Sequence, residues 1–113
     1  MNNEHSFTLL ESLAAQMEIP EQGIHSKPVF SNATLRATLF GMAEGEELTE
    51  HTTSMEALLV FLEGEAEITL AGETHTVRPG AWLRMEPRLP HSLRAQTPLK
   101  FVLWLLREPQ KES

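Results

Sequence analysis

The chain has 113 residues, 41% of them hydrophobic, no cysteine, and a formal net charge of −7. That length supports one hydrophobic core and one domain, and the missing cysteines exclude disulfides, thiolate metal sites and a cysteine nucleophile. The acidic balance argues against a nucleic-acid partner: counterion release needs clustered basic residues, and Arg78, Arg84, Arg88 and Arg94 are scattered over separate segments.

At the N-terminus no basic segment precedes a long apolar one, so no signal peptide is expected. Thr8-Leu9-Leu10-Glu11 reads as a capping box. Leu9, Leu10, Leu13 and Met17 recur at helical spacing, and Pro20 and Gly23 follow as stop signals. A short N-terminal α-helix is therefore expected. His5 and His25, on either side of it, are expected in solvent. Asn32-Ala33-Thr34 matches a glycosylation acceptor, and with no signal peptide expected no glycosylation is expected there.

Everything after Ile24 reads as strands. Residues 27–30 contain Pro28 and suit an edge strand, since proline cannot donate to a ladder. Residues 34–42 are β-rich and mostly alternating, and a turn at 43–46 leads into an extended segment, 47–52, carrying His51. Residues 57–62 are apolar on both faces, as in a strand buried between layers. Glu63-Gly64 is read as a hairpin turn into the alternating strand 65–70, and Ala71-Gly72 as a second one into 74–78. Pro79-Gly80 precedes a strand at 81–85, Pro87 and Pro90 stiffen the approach to a strand at 91–95, and Thr97-Pro98 turns into the last strand, 99–107.

Eight or nine short strands with frequent turns indicate an all-β sandwich or double-sheet jelly roll. The expected organisation is a helix and arm over residues 1–26, a β-barrel over 27–107 and a frayed tail over 108–113. The longest apolar runs, 57–62 and 101–106, are six residues, far short of the about 20 that a membrane helix needs. A soluble cytoplasmic protein without a membrane partner is expected. Both runs are apolar on two faces, more than one barrel wall uses, which favours a homodimer.

The chemistry centres on two histidines. Gly45 is followed by five residues and His51, with Gly64 thirteen positions beyond; Gly80 leads, through Glu86-Pro87-Arg88-Leu89-Pro90, to His91. Both histidines fall at strand ends, where two imidazoles can converge inside a barrel. In order and in register, these residues resemble the two motifs of the cupin superfamily, in particular its small single-domain (RmlC-like) members, over about residues 29–106. The resemblance implies a double-stranded β-helix, or jelly-roll barrel. It also implies a metal site, which in that family usually has three His and one Glu. Carried over position by position, only His51 and His91 survive: Thr53 stands at the second His position and Ala57 at the Glu position. In the second motif Glu86, Arg88 and Ala95 also depart from the pattern.

Glu56, one residue before Ala57, is the candidate third metal ligand. A bulge at Ser54-Met55 would turn it inward and complete a 2-His-1-carboxylate set; otherwise it faces water at a strand mouth. His51, His91 and Glu56 are thus the site residues, for one weakly held divalent transition metal (Fe, Mn, Ni, Cu or Zn), and no catalytic residue is assigned. His75 shares an apolar face with Val77 and reads as a packed or half-exposed histidine before a ligand. Trp82, Trp104, Phe40, Phe61 and Phe101 are candidates for barrel lining or ordinary core, and Met42, Met55 and Met85 for the mouth. The expected function is binding of a small ligand in a barrel with a reduced two-His site. The alternative is a metal-dependent enzyme of dioxygenase, isomerase or decarboxylase type, acting on a small organic acid or carbohydrate-like molecule. A purely structural or regulatory domain is a third reading, with the cavity packed shut.

Overall fold

The computed structural model describes residues 5–107; the tail expected over 108–113 lies outside them. Nine strands occur among the described residues: β1 (Ile24–Ser31), β2 (Leu35–Met42), β3 (Glu47–His51), β4 (Glu56–Glu63), β5 (Ala66–Leu70), β6 (Glu73–Val77), β7 (Trp82–Met85), β8 (His91–Ala95) and β9 (Leu99–Leu106). They form two antiparallel sheets, one in the order β1-β2-β9-β4-β7 and the other in the order β3-β8-β5-β6. This is the all-β jelly roll expected from the sequence. No described helix is long and apolar enough to cross a membrane.

The two sheets meet across one core. Phe61, Phe101, Leu59, Met42 and Met85 of the five-stranded sheet pack on Ala66, Ile68, Leu93 and Ala95 of the four-stranded one. Alternation explains the sides: in β4, Ala57, Leu59 and Phe61 are buried in this core while Leu58, Val60 and Leu62 point outward. Pro28 sits on the edge strand β1, and the β1–β2 register shifts between Pro28 and Phe30, a bulge on a strand with no outer partner.

Turn chemistry accounts for the connections. Ala71 and Gly72 both have positive φ, 48° and 88°, and join β5 to β6 as a hairpin, the backbone that a twist-matched two-residue turn requires. The Glu63-Gly64 turn, expected to be a hairpin, is not one: β4 and β5 lie in different sheets, and the chain crosses between them there. Gly64 has φ of 83°, and a Cβ on it would lie 2.0 Å from the Pro98 carbonyl oxygen. Only glycine lets this crossing nest against the β8–β9 turn, where the Glu65 amide also donates to Thr97 Oγ1 at 2.9 Å.

The expected N-terminal helix is reduced to one 3-10 turn, Ala14–Gln16. Thr8 does not cap it; the Ala15 amide donates to Ser12 Oγ at 3.2 Å instead. The physical reason lies in where the apolar residues go. Leu9 and Leu10 remain exposed and give a helix over 8–13 no tertiary support, and isolated short helices are marginal in water. Leu13 and Met17 pack instead on Ala37, Leu39 and Val102, on the outer face of the five-stranded sheet. The segment is an arm laid over that face. Lys100, only 5% exposed, donates to the Ala14 carbonyl at 2.6 Å and pairs with Glu63 at 3.0 Å. Lys27 donates to the Gln16 carbonyl at 3.2 Å. Gly41 leaves room for the crossing: a Cβ there would meet Met17 Sδ at 3.0 Å and Pro20 Cδ at 3.2 Å.

Candidate functional site

His51 ends β3 and His91 begins β8, and the two strands place them directly opposite each other. Their ring centroids are 4.2 Å apart, with ring planes 58° to one another. A bulge makes this possible. Leu48 faces Leu93 and His51 faces His91, so three steps on β3 match two on β8. Strict alternation from Leu48 would put Glu50 inward and His51 outward. The extra residue reverses the parity, and Leu48 and His51 line the same cavity.

That cavity has a volume of about 160 Å³ and lies between the sheets, walled by Phe40, Leu59, Ile68, Met85, Phe101 and Leu103. Phe40 and Phe101 stack with centroids 5.0 Å apart and planes within 5° of parallel. Among the described residues, the two imidazoles are the only polar side chains lining it, and no charged side chain lines it. His51 is exposed and His91 half-buried, so the pair stands where the cavity meets solvent.

Each ring is tethered in the same way. His51 Nδ1 is 2.7 Å from the Thr49 carbonyl oxygen and His91 Nδ1 is 2.7 Å from the Leu89 carbonyl oxygen. A carbonyl can only accept, so each Nδ1 carries a proton and donates it, and each Nε2 is left as an acceptor in the neutral ring. A backbone carbonyl fixing one ring nitrogen is how proteins present the other to a metal or ligand. Burial lowers the His91 pKa from its ordinary 6.5, opposed by the bond to the Leu89 carbonyl, with the neighbouring His51 lowering it further. Burial thus favours the neutral form of His91.

The other sequence candidates lie elsewhere. Glu56 accepts a hydrogen bond from Arg84 Nε on β7. It shares the outer face of β4 with Leu58, the neighbour of Arg84 in register, while Ala57 points into the core. The structure brings the two histidines together and leaves Glu56 away from them; among the described residues no group of three or more His, Asp or Glu side chains could hold a metal ion. His75 sits on the edge strand β6, exposed and 3.8 Å from Glu73, the unpacked of the two readings open to it. Phe40 and Phe101 line the cavity, Phe61 lies in the core, Trp104 packs beneath the arm, and Trp82 is exposed. Met85 lines the cavity and Met42 is in the core.

The positions where this chain departs from the motif have other work. The Thr53 carbonyl accepts the Arg88 amide at 2.7 Å, clasping the β3–β4 loop to the β7–β8 loop, and Arg88 holds a positive φ of 68° to do so. Ala57 fills core. The clasp between the loops was not legible in the sequence, because nothing local to Arg88 marks a left-handed residue.

Comparison with known proteins agrees with this architecture. A family model described as a cupin domain matches residues 38–105. The chain belongs to the cupin family. A search of the curated proteins finds no match for this cupin. Among solved structures, it is similar to a conserved protein of unknown function from Streptococcus pyogenes, with 27% identity, a TM-score of 0.82, and coverage of 96% of this chain and 95% of the other. A cupin superfamily protein from Desulfitobacterium hafniense is 23% identical, with a TM-score of 0.81 and coverage of 95% and 97%, a likeness of fold. A cupin 2 conserved barrel domain protein from Leptotrichia buccalis is 29% identical, with a TM-score of 0.78, covering 84% of this cupin and 46% of that chain.

Proposed function

We propose that this cupin is a small-molecule-binding protein whose ligand sits in the 160 Å³ cavity with its polar end at His51 and His91. The observation that carries the reading is the pair of opposed imidazoles, each fixed by a backbone carbonyl, at the mouth of an otherwise apolar cavity. Fixed polar groups converging on an apolar pocket are the usual form of a ligand site.

The donor set also suits a divalent transition metal in part. Two imidazoles tethered through Nδ1, each with Nε2 left to coordinate, are good ligands for Zn, Cu, Ni or Fe, and His51 and His91 would hold the ion. Water or the small molecule would complete the coordination, which makes the affinity low. Such an ion would supply Lewis acidity; the protein supplies two fixed imidazoles and a dry apolar wall. For a metal-dependent enzyme using His51, His91 and Glu56, the Glu56 carboxylate would have to leave Arg84 and cross to the other face of β4.

Titration of chelator-treated protein with Zn²⁺, followed by histidine NMR, tests the pair. The expected result is weak binding that shifts His51 and His91 together and is lost in His51→Ala and in His91→Ala. Stoichiometric, tightly held metal that survives removal of both histidines contradicts it.

We also propose a cytoplasmic homodimer. It is supported by the absence of cysteine and by large apolar side chains in water around the arm and the sheet edge: Phe7 is 87% exposed, Leu9 71% and Trp82 64%.

A further inference from the structure

We infer that the metal-free cavity selects neutral, single-ring molecules carrying a hydroxyl donor, phenol being the simplest, over carboxylates of the same size. The inference rests on the reading that the cavity binds a small molecule, and it names the class. Its basis is the tautomer. Both Nδ1 protons are committed to the Thr49 and Leu89 carbonyl oxygens, at 2.7 Å each. In their neutral form the two rings therefore offer two Nε2 acceptors, and among the described residues no other lining side chain is a donor.

Charge points the same way. Among the described residues no Lys or Arg lines the cavity, so a carboxylate placed at the mouth would find no cation and would face two lone pairs. A hydroxyl instead gives one of those lone pairs a proton, and its ring is left to the hydrocarbon wall. Size and shape set the rest. A cavity of about 160 Å³ matches an apolar cavity of about 150 Å³ that accepts benzene. Phe40 and Phe101 both line the cavity, so a ligand ring meets aromatic as well as aliphatic side chains. A neutral apolar ring without a donor would fit the same space and leave both Nε2 atoms to water.

The test is calorimetric titration of the full chain at pH 7.5 with chelator present, using phenol, benzoate and toluene as probes. Phenol is expected to bind about tenfold more tightly than benzoate, and several-fold more tightly than toluene, the size of effect one hydrogen bond gives. His51→Leu, at an exposed position, keeps the fold and should bring phenol and toluene closer together. Histidine ¹⁵N shifts give an independent reading: both Nε2 atoms should be unprotonated in the free protein. Benzoate binding as tightly as phenol, phenol no tighter than toluene, or a protonated Nε2 in both rings would overturn the class while leaving the cavity as a binding site. If none of the three probes binds, the binding reading falls and the class with it.

Discussion

At the scale of single residues, the site is built from a parity change and two carbonyls. The glycine and proline spacing around His51 and His91 carried enough information to bring both residues to strand ends. It did not carry the bulge between Leu48 and His51, because a bulge is settled by the register of a partner strand remote in sequence. Glu56 misled for the same reason. Its neighbour Arg84 arrives through the β4–β7 register, which no window around Glu56 displays. The lowered pKa of His91 has a consequence for stability. Because burial holds the folded value below 6.5, the unfolded chain takes up a proton at a higher pH than the folded one does. The associated stability is complete above 6.5 and is lost as the pH falls through the folded pKa. Denaturant unfolding of chelator-treated protein between pH 7.5 and 5 should show that decline, and His91→Gln should flatten it. A His91 ring resonance that titrates at or above 6.5 would refute the assignment.

At the scale of elements, the arm shows how tertiary packing overrides local signals. The capping box at Thr8 and Glu11 was a sound local sign of a helix, yet the residues that find apolar partners, Leu13 and Met17, start four positions after Leu9 and follow a sheet face. Two lysines hold the arm by its carbonyls, and Lys100 does so from a buried position with Glu63 as counter-ion. Lys100→Met removes that bond while keeping the volume, and Glu63, half-exposed, can return to water. The expected result is a stability loss of about 1.5 kcal/mol, with faster amide exchange over residues 12–20 and unchanged binding in the cavity. Unchanged exchange in the arm would show that packing alone secures it. The β5–β6 hairpin is the opposite case: Ala71-Gly72 between two alternating segments was legible locally, because a two-residue turn sets its own geometry.

At the scale of the molecule, strand number, strand order in the chain and fold class followed from alternation and turn spacing. The assignment of strands to sheets did not, since Glu63-Gly64 looks like a hairpin and acts as a crossing. The two-faced apolar runs, 57–62 and 101–106, are partly accounted for within the chain: Val60, Leu62, Val102 and Trp104 lie under or beside the arm. Phe7, Leu9 and Trp82 are not covered, and a second copy of the chain is the proposed cover. Light scattering at micromolar concentration should report the mass of two chains, and a single-chain mass would rule the homodimer out.

The strand order carries a further consequence. β9 lies between β2 and β4 and aligns Leu106 with both Leu35 and Glu56. It is the last of the described strands in chain order, yet it is the middle of its sheet. During translation, the β1–β2 hairpin and the β4–β7 pair must wait apart, with the inner edges of β2 and β4 unpaired, until β9 leaves the ribosome and joins them. Phe101 and Leu103 of β9 also wall the cavity. A nascent chain ending at Pro98 therefore has both histidines but neither a closed barrel nor a pocket behind them.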